Sequence, residues 1–389
     1  MESTGGPCPN PKQRTIDMDK NTPLSSFGKW VSPINFKKVY GQTETFKTDY
    51  YTKKLTTKAY IQFMLYALLH ESESLYAMSE ALLDEGLRDA LGFDSISASQ
   101  LSRRHNTMET KILADIFVDL VTKIKHHHMG QRGSSVPLKV IDSSTLPLNL
   151  THYPWAKFRK TKSGVKLHLR LVFMNKDTVY PDQAVITPAH EHDRNQLEVL
   201  VDDQEAMYVF DRGYVDYERF DRMTDDGYFF ASRLRKNAVI REVAAFDVGT
   251  DESILSDRMV YIGTTQNRTE NVFRLVEVTD TQGNRLRIIT NRFDLDAKAI
   301  SDIYRSRWAI ELFFKWLKQH VQIKHFYGMS ETAVYNQIYL ALIAYCLNVL
   351  VQLETKSRKS LLRITRWLKA AIWKPAYIWI RRFDGRASP

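Results

Sequence analysis

Long apolar runs are missing from this 389-residue chain. No stretch reaches the roughly eighteen apolar residues that a membrane-spanning helix needs. The nearest approach, residues 338–351, is interrupted by Asn348 and has the length of a core helix. Cysteine is almost absent. Cys8 and Cys346 are too few for a zinc cluster of the CxxC type, and they point away from a disulfide framework and toward a reducing, cytoplasmic compartment. The polar, Pro- and Gly-containing N-terminus lacks the pattern of a signal peptide. Residues 1–18 read as a disordered leader, with Met18 as an alternative start. Acid is in deficit: 45 Asp and Glu stand against 55 Lys and Arg, a net charge of +10. Such an excess favours polyanionic partners, above all nucleic acid. From Lys356 to the end, ten Lys and Arg residues face one acid, Asp384, with Trp367, Trp373, Tyr377 and Trp379 interleaved.

What is present is globular. Apolar residues make up 43% of the chain and aromatics 12%, enough for substantial cores in two or three domains. Residues 19–130 read as an all-α N-terminal domain. Thr56 or Thr57 caps a helix with Tyr60, Phe63, Met64 and Ala67 at i, i+3, i+4, i+7 spacing. A second helix is expected over 74–91. Ser97 with Gln100 forms a capping box, and the helix it opens carries Arg103, Arg104 and His105. A short turn feeding a basic helix is how a helix-turn-helix reads a DNA groove, so Arg103 and Arg104 are candidate DNA contacts. Another amphipathic helix over 111–125 ends at three adjacent histidines, 126–128, which cannot all face one metal.

Composition breaks at 130–135. Strands are expected over 136–148, 165–174 and 178–187, joined as an antiparallel meander. A helix over 194–201, an apolar strand over 206–213, a helix over 217–225 and a strand over 228–234 follow. Residues 236–290 read as a β-rich insertion before the chain returns to a helix. The expected units are a first core part over 136–235, the insertion, a second core part over 291–352 and a basic aromatic tail over 353–389.

The helix expected over 302–319 contains no Pro or Gly. At about 100° per residue, Tyr304, Arg307, Glu311 and Lys318 share an arc of roughly 60°. Most of the remaining circumference is apolar, which predicts burial. A lone acid in a cationic stripe can be satisfied by ion pairs with Arg307 and Lys315. Two further acids suggest more. Asp142 sits mid-strand and Asp211 ends an apolar strand, although aspartate has poor strand propensity. Three carboxylates of this kind are hard oxygen ligands suited to Mg2+, and two such ions can bind the attacking and leaving oxygens of a phosphodiester.

The pattern Y-x2-R-x3-E-x6-K is met by Tyr304, Arg307, Glu311 and Lys318. With Asp142 in VIDSSTLPL and Asp211 in VFDRGY, it resembles the bacterial insertion-sequence DDE transposases of family four. The resemblance runs from about Met18 through the basic tail. It implies an α/β, ribonuclease-H-like catalytic domain interrupted by the β-rich insertion, with helical regions before and after it. It also implies a catalytic, metal-binding triad of Asp142, Asp211 and Glu311, using Mg2+ as two ions with Mn2+ able to substitute. Tyr304, Arg307 and Lys318 would contact phosphates of the transposon end, with Arg212 beside them. An aromatic in that family can stack against a base displaced during hairpin formation, but for Trp308 a core role is at least as well founded, and His168 is better read as a core histidine. The implied activity is cut-and-paste DNA transposition: binding terminal inverted repeats, cleaving the ends and joining the 3′-OH to target DNA. The implied setting is a dimeric synaptic complex in a bacterial cytoplasm, associated with the nucleoid and not with a membrane. The rivals are a nuclease of the same fold that never joins strands, and a non-catalytic DNA-binding descendant.

Overall fold

The computed structural model describes residues 24–129, 136–175, 178–280, 282–320 and 326–383. The expected leader, Cys8 and Asp384 lie outside them. Seven helices come first: α1 (Ser26–Val31), α2 (Phe36–Phe46), α3 (Thr57–His70), α4 (Leu75–Glu80), α5 (Glu85–Leu91), α6 (Ala98–Thr107) and α7 (Thr110–Met129). Strands β1 (Leu138–Leu148), β2 (Lys157–Arg159), β3 (Lys162–Asn175) and β4 (Thr178–Pro188) follow, then α8 (Leu197–Leu200), β5 (Met207–Phe210), α9 (Tyr217–Asp225) and β6 (Phe229–Arg233). Next are β7 (Ile240–Ala245), β8 (Ile254–Ile262), β9 (Phe273–Thr279) and β10 (Arg285–Thr290). The chain closes with α10 (Ala297–Arg305), α11 (Trp308–His320), α12 (Glu331–Glu354), α13 (Leu361–Ala370) and α14 (Ala376–Ile380).

Local signals account for several boundaries. Thr56 caps α3 by accepting from the Ala59 amide, and both halves of the Ser97/Gln100 box are made at α6. The helix expected over 74–91 is instead α4, a 3₁₀ turn at Ala81–Leu83, and α5. The chain turns out at Asp84, whose carboxylate caps α5 through the Leu87 amide. A competing side-chain cap offers the backbone an exit from the first helix. The helix expected over 194–201 is likewise a 3₁₀ turn, Asp193–Gln196, followed by α8.

The sheet is mixed. β1 pairs antiparallel with β3 and parallel with β5, β3 pairs antiparallel with β4, and β5 pairs parallel with β6. Strands β7 to β10, expected as an insertion, extend the same sheet, because β10 pairs with β6. Side-chain alternation sorts residues between its two faces. Val140, Met207 and Val209 pack into the core shared with the helices, while Ile141, Tyr208 and Phe210 enter a second core with Phe220, Phe230 and Phe273. Every residue of β5 is therefore buried, as a central strand requires.

α12 is long and apolar enough to cross a membrane by composition, but 89% of that window is buried inside the protein. It packs against α1, α3, α6, α7, α13 and β4. Its polar interruption is used: Asn348 accepts from the Trp30 indole at 3.0 Å and donates to Thr365 at 3.1 Å, tying α1, α12 and α13 together. Two tryptophans of the basic C-terminal region pack inward, while Tyr377 stays exposed. Trp379 is fully buried, and Trp373 lies between Phe27 and Tyr66, covers Gly86 and donates to Asp84 at 2.7 Å.

Candidate active site

Register brings the two aspartates together. Ile141 lies opposite Phe210 in the parallel pairing of β1 and β5, so the next residues, Asp142 and Asp211, emerge side by side about 5 Å apart along the sheet. Both are two positions beyond residues of the helix-facing core, Val140 and Val209. Period-two alternation therefore turns them toward the layer containing α10 and α11. The parallel pairing ends here, while β1 runs on to Leu148 against β3; the end of the parallel pairing is the kind of place where open α/β sheets bind ligands.

The expected helix over 302–319 is broken. α10 ends at Arg305, and the amides of Arg307, Ala309 and Ile310 bond to carbonyls three residues back rather than four. Ser306 contributes by donating its hydroxyl to the Ile303 carbonyl, a bond that competes with the helical ladder. The break leaves Arg307 at the junction. The outer side of α11 is also less buried than its composition predicts: Trp308 and Leu312 are more than half exposed.

Despite the break, the residues converge. Arg307 donates to Glu311 at 2.6 Å and to Asp142 at 3.3 Å. The Tyr304 hydroxyl donates to Asp211 at 3.4 Å. Lys318 donates to Ser144 on β1. Asp142, Asp211, Glu311, Arg307, Lys318 and Arg212 line one open cleft of about 550 Å³, together with Arg233 and Lys315. Burial pushes the Asp142 carboxyl up to about 6. The Ser143 amide and Arg307 oppose that shift, while the carboxylates of Asp211 and Asp193 add to it. Burial also raises the Tyr304 phenol, with Asp211 contributing, so it stays a donor at neutral pH.

The donor set fits a divalent cation in chemistry: hard carboxylate oxygens, one of them buried enough to be costly as a bare anion. In the arrangement seen, the Arg307 guanidinium neutralises two of the three acids. Among the described residues, no three acidic, histidine or cysteine side chains converge closely enough to share one ion.

Arg103 and Arg104 are elsewhere, on α6. Arg103 is exposed. Arg104 faces inward, donating to the Thr48 carbonyl at 2.7 Å, Asp49 at 2.6 Å and Thr57 at 2.8 Å, which makes it a clamp on the α2–α3 connection. His168 is fully buried, with Nε2 2.9 Å from the Thr187 hydroxyl.

Sequence reasoning missed a carboxylate. Asp193 accepts from the Ser143 hydroxyl at 2.7 Å, pairs with Lys166 at 3.1 Å, and lies 3.6 Å from His168 Nδ1. Its segment, EHDRNQ, looks like any polar turn, and no periodicity marks it. Arg233 was also missed, yet it had a signal: it ends the strand FFASR as Asp211 follows MYVF, a charge at the carboxyl end of a central strand.

Comparison with known proteins gives this geometry a class. The family model described as "Transposase DDE domain" matches residues 137–347, more than half of the chain, and a "Domain of unknown function (DUF4372)" matches residues 22–93. The chain belongs to the DDE transposase domain family, and it is accordingly an enzyme that cuts and joins DNA. Within that class it is of the insertion-sequence type. It is similar to the "Probable transposase for insertion sequence element IS5377" of Geobacillus stearothermophilus, 29% identical over 298 residues, or 76% of each chain. Among solved structures, a piggyBac transposase in a synaptic complex with hairpin DNA aligns over 93% of this chain and 82% of its own, at a TM-score of 0.47 and 9% identity.

Proposed function

We propose that this transposase works by cut-and-paste, on a ribonuclease-H-like core formed by β1, β3, β4, β5 and β6, with Asp142, Asp211 and Glu311 as its catalytic acids. The observation that carries the reading is the shared cleft. Two carboxylates from adjacent parallel strands and a third from α11 open on one space rimmed by Arg307, Arg212, Arg233, Lys315 and Lys318. The three acids would hold divalent cations, Mg2+ in the first instance. When bound, these supply charge stabilisation to the attacking and leaving oxygens of the phosphodiester.

The chain's own residues do the rest. Arg307 keeps Asp142 and Glu311 neutralised and oriented within one fork, a geometry suited to planar carboxylates and phosphates. Tyr304 orients Asp211 as a neutral donor. Lys318, held against Ser144, and Arg212, exposed beside Asp211, present positive charge to the DNA backbone from the lining of the same cleft. The helical region over 19–130 binds the terminal inverted repeats, and two copies hold two ends together. The signature of family four belongs to this same reading.

The test is Glu311→Gln in the full chain. Nicking of supercoiled plasmid in Mg2+ falls by roughly a thousandfold or more if the acid serves the metal chemistry, while retention of a labelled duplex in a gel-shift assay stays within twofold. Nicking at the wild-type rate removes Glu311 from the mechanism. The nuclease rival is separated by the products: a 3′-OH oligonucleotide end joined to plasmid identifies a transposase, and cleavage without joining identifies a nuclease.

A further inference from the structure

The connection between α2 and α3 carries an unusual surface. Lys47 ends α2 in the left-handed conformation, and Tyr51 is left-handed as well, at φ 62°. A bulky side chain rarely occupies that region, which glycine or asparagine normally fills. The tyrosine is not there to be buried. Tyr51 is 89% exposed, Tyr50 is 68% exposed, and the centres of the two rings lie 4.3 Å apart. Around them Lys47, Lys53 and Lys54 are exposed.

The one acid of this turn does not offset those cations, because it is used internally. Asp49 accepts from the Thr57 amide at 2.8 Å and from the Arg104 guanidinium at 2.6 Å, and Arg104 also holds the Thr48 carbonyl. Lys54 reaches the Ser95 carbonyl, two residues before the cap of α6. The turn is thereby pinned beside α6, whose outer face presents Ser99, Arg103 and Thr107. A rigidly anchored loop that displays paired aromatics among lysines is costly to solvate and contributes nothing to the core.

We propose that the Tyr50–Tyr51 turn, with Lys47, Lys53 and Lys54, is a docking surface for double-stranded DNA. The lysines lie along phosphates, and the tyrosine pair packs against the sugars and base edges of the groove beside the one that α6 faces. Charge complementarity selects this occupant: interleaved cations and aromatics match a polyanion that also offers flat apolar edges. The inference rests on the proposed assignment of residues 19–130 to DNA binding, and adds to it the element that touches the duplex and the work of Arg104, which is to hold that element rather than to contact DNA.

The experiment measures binding of the full chain to a fluorescein-labelled 40-base-pair duplex by anisotropy at several salt concentrations. Lys47→Ala/Lys53→Ala/Lys54→Ala is expected to weaken binding at least tenfold and to flatten the dependence on log salt by about two to three. Tyr50→Ala/Tyr51→Ala is expected to weaken it about fivefold, about 1 kcal/mol, with the salt slope unchanged because the lost contacts are uncharged. Tyr51→Gly is the control for folding. Glycine relieves the left-handed backbone, so this variant melts no lower than wild type yet binds duplex more weakly. Wild-type affinity in all three variants overturns the proposal. So does loss of self-association in the tyrosine variants with duplex affinity intact, which would assign the surface to a second copy of the chain. Plasmid nicking separates this inference from the function on which it rests. Wild-type duplex binding in the turn variants, with nicking abolished by Glu311→Gln, sinks the docking surface alone. A wild-type chain that neither binds duplex nor nicks plasmid sinks both.

Discussion

The Arg307 guanidinium reaches Asp142 at 3.3 Å across 165 positions of the chain. The same side chain holds Glu311, four residues away, at 2.6 Å. A helical i, i+4 pair is thus extended into a link between α11 and the central strand. This link makes the cleft one unit rather than a sheet edge with a helix nearby.

Arg307→Lys tests that geometry. Lysine keeps the charge but cannot direct two N–H groups at two carboxylates from one plane. Strand cleavage is expected to fall by roughly ten- to a hundredfold with the fold intact. The check is single-turnover cleavage alongside a melting curve; full activity in the lysine variant would show that charge alone suffices.

Lys318→Ala separates phosphate binding from the local contact to Ser144. If Lys318 engages DNA, the slope of log affinity against log salt shrinks by about one. Ser144→Ala serves as the companion, since it removes only the hydroxyl that Lys318 touches and leaves the slope alone. Equal salt slopes for wild type and Lys318→Ala would confine the lysine to a structural role.

Asp193→Asn tests the carboxylate behind the site. Asp193 receives Ser143 and Lys166, and Ser143 donates its amide to Asp142. The asparagine variant should bind duplex normally but require several times more Mg2+ for half-maximal nicking, because Asp142 is less firmly positioned. A metal requirement identical to wild type would make Asp193 merely a fold residue.

A fourth expectation concerns acid stability. His105 is fully buried, its Nδ1 2.7 Å from the Tyr60 hydroxyl, and burial pushes its pKa down to about 4. An imidazole kept neutral in the fold but protonated near 6.5 when unfolded favours folding fully above pH 6.5. That contribution is lost as pH falls through about 4, to a total of about 3 kcal/mol for a shift of this size. Asp142 runs in the opposite sense, since its raised pKa penalises the fold above about 6 and relaxes below. Comparing urea midpoints of wild type and His105→Gln from pH 7.5 to 4.5 isolates the histidine. Parallel curves would mean that His105 does not titrate between the folded and unfolded states.

Much of the architecture was legible in the chain because the signals are local. The Ser97/Gln100 box, the alternation of the strands and the four-residue spacing of Arg307 and Glu311 each act within one or two turns. The single helix over 302–319 was misread for a reason also local but weaker. A lone serine, Ser306, tips the ladder toward a break, and helix propensity summed over eighteen residues conceals it. Arg104 was read as facing outward because its partners, Asp49 and Thr57, lie some fifty positions back.

Sequence by itself determined which residues are the candidates for the chemistry: acids where strands should be apolar, a lone glutamate among cations, and a surplus of positive charge. Only the tertiary structure decided how they meet. Parallel register set Asp142 beside Asp211, and packing of α11 on β1 brought Arg307 between two acids. Contacts with Ser143 and Lys166 drew Asp193 in from a featureless turn, and packing of the C-terminal helices on the N-terminal ones buried Trp379 and half-buried Trp373 against Phe27 and Tyr66. Periodicity fixes which side chains share a face of one element. Which faces meet is fixed by the burial of apolar surface between segments far apart in the chain, and no local pattern encodes that.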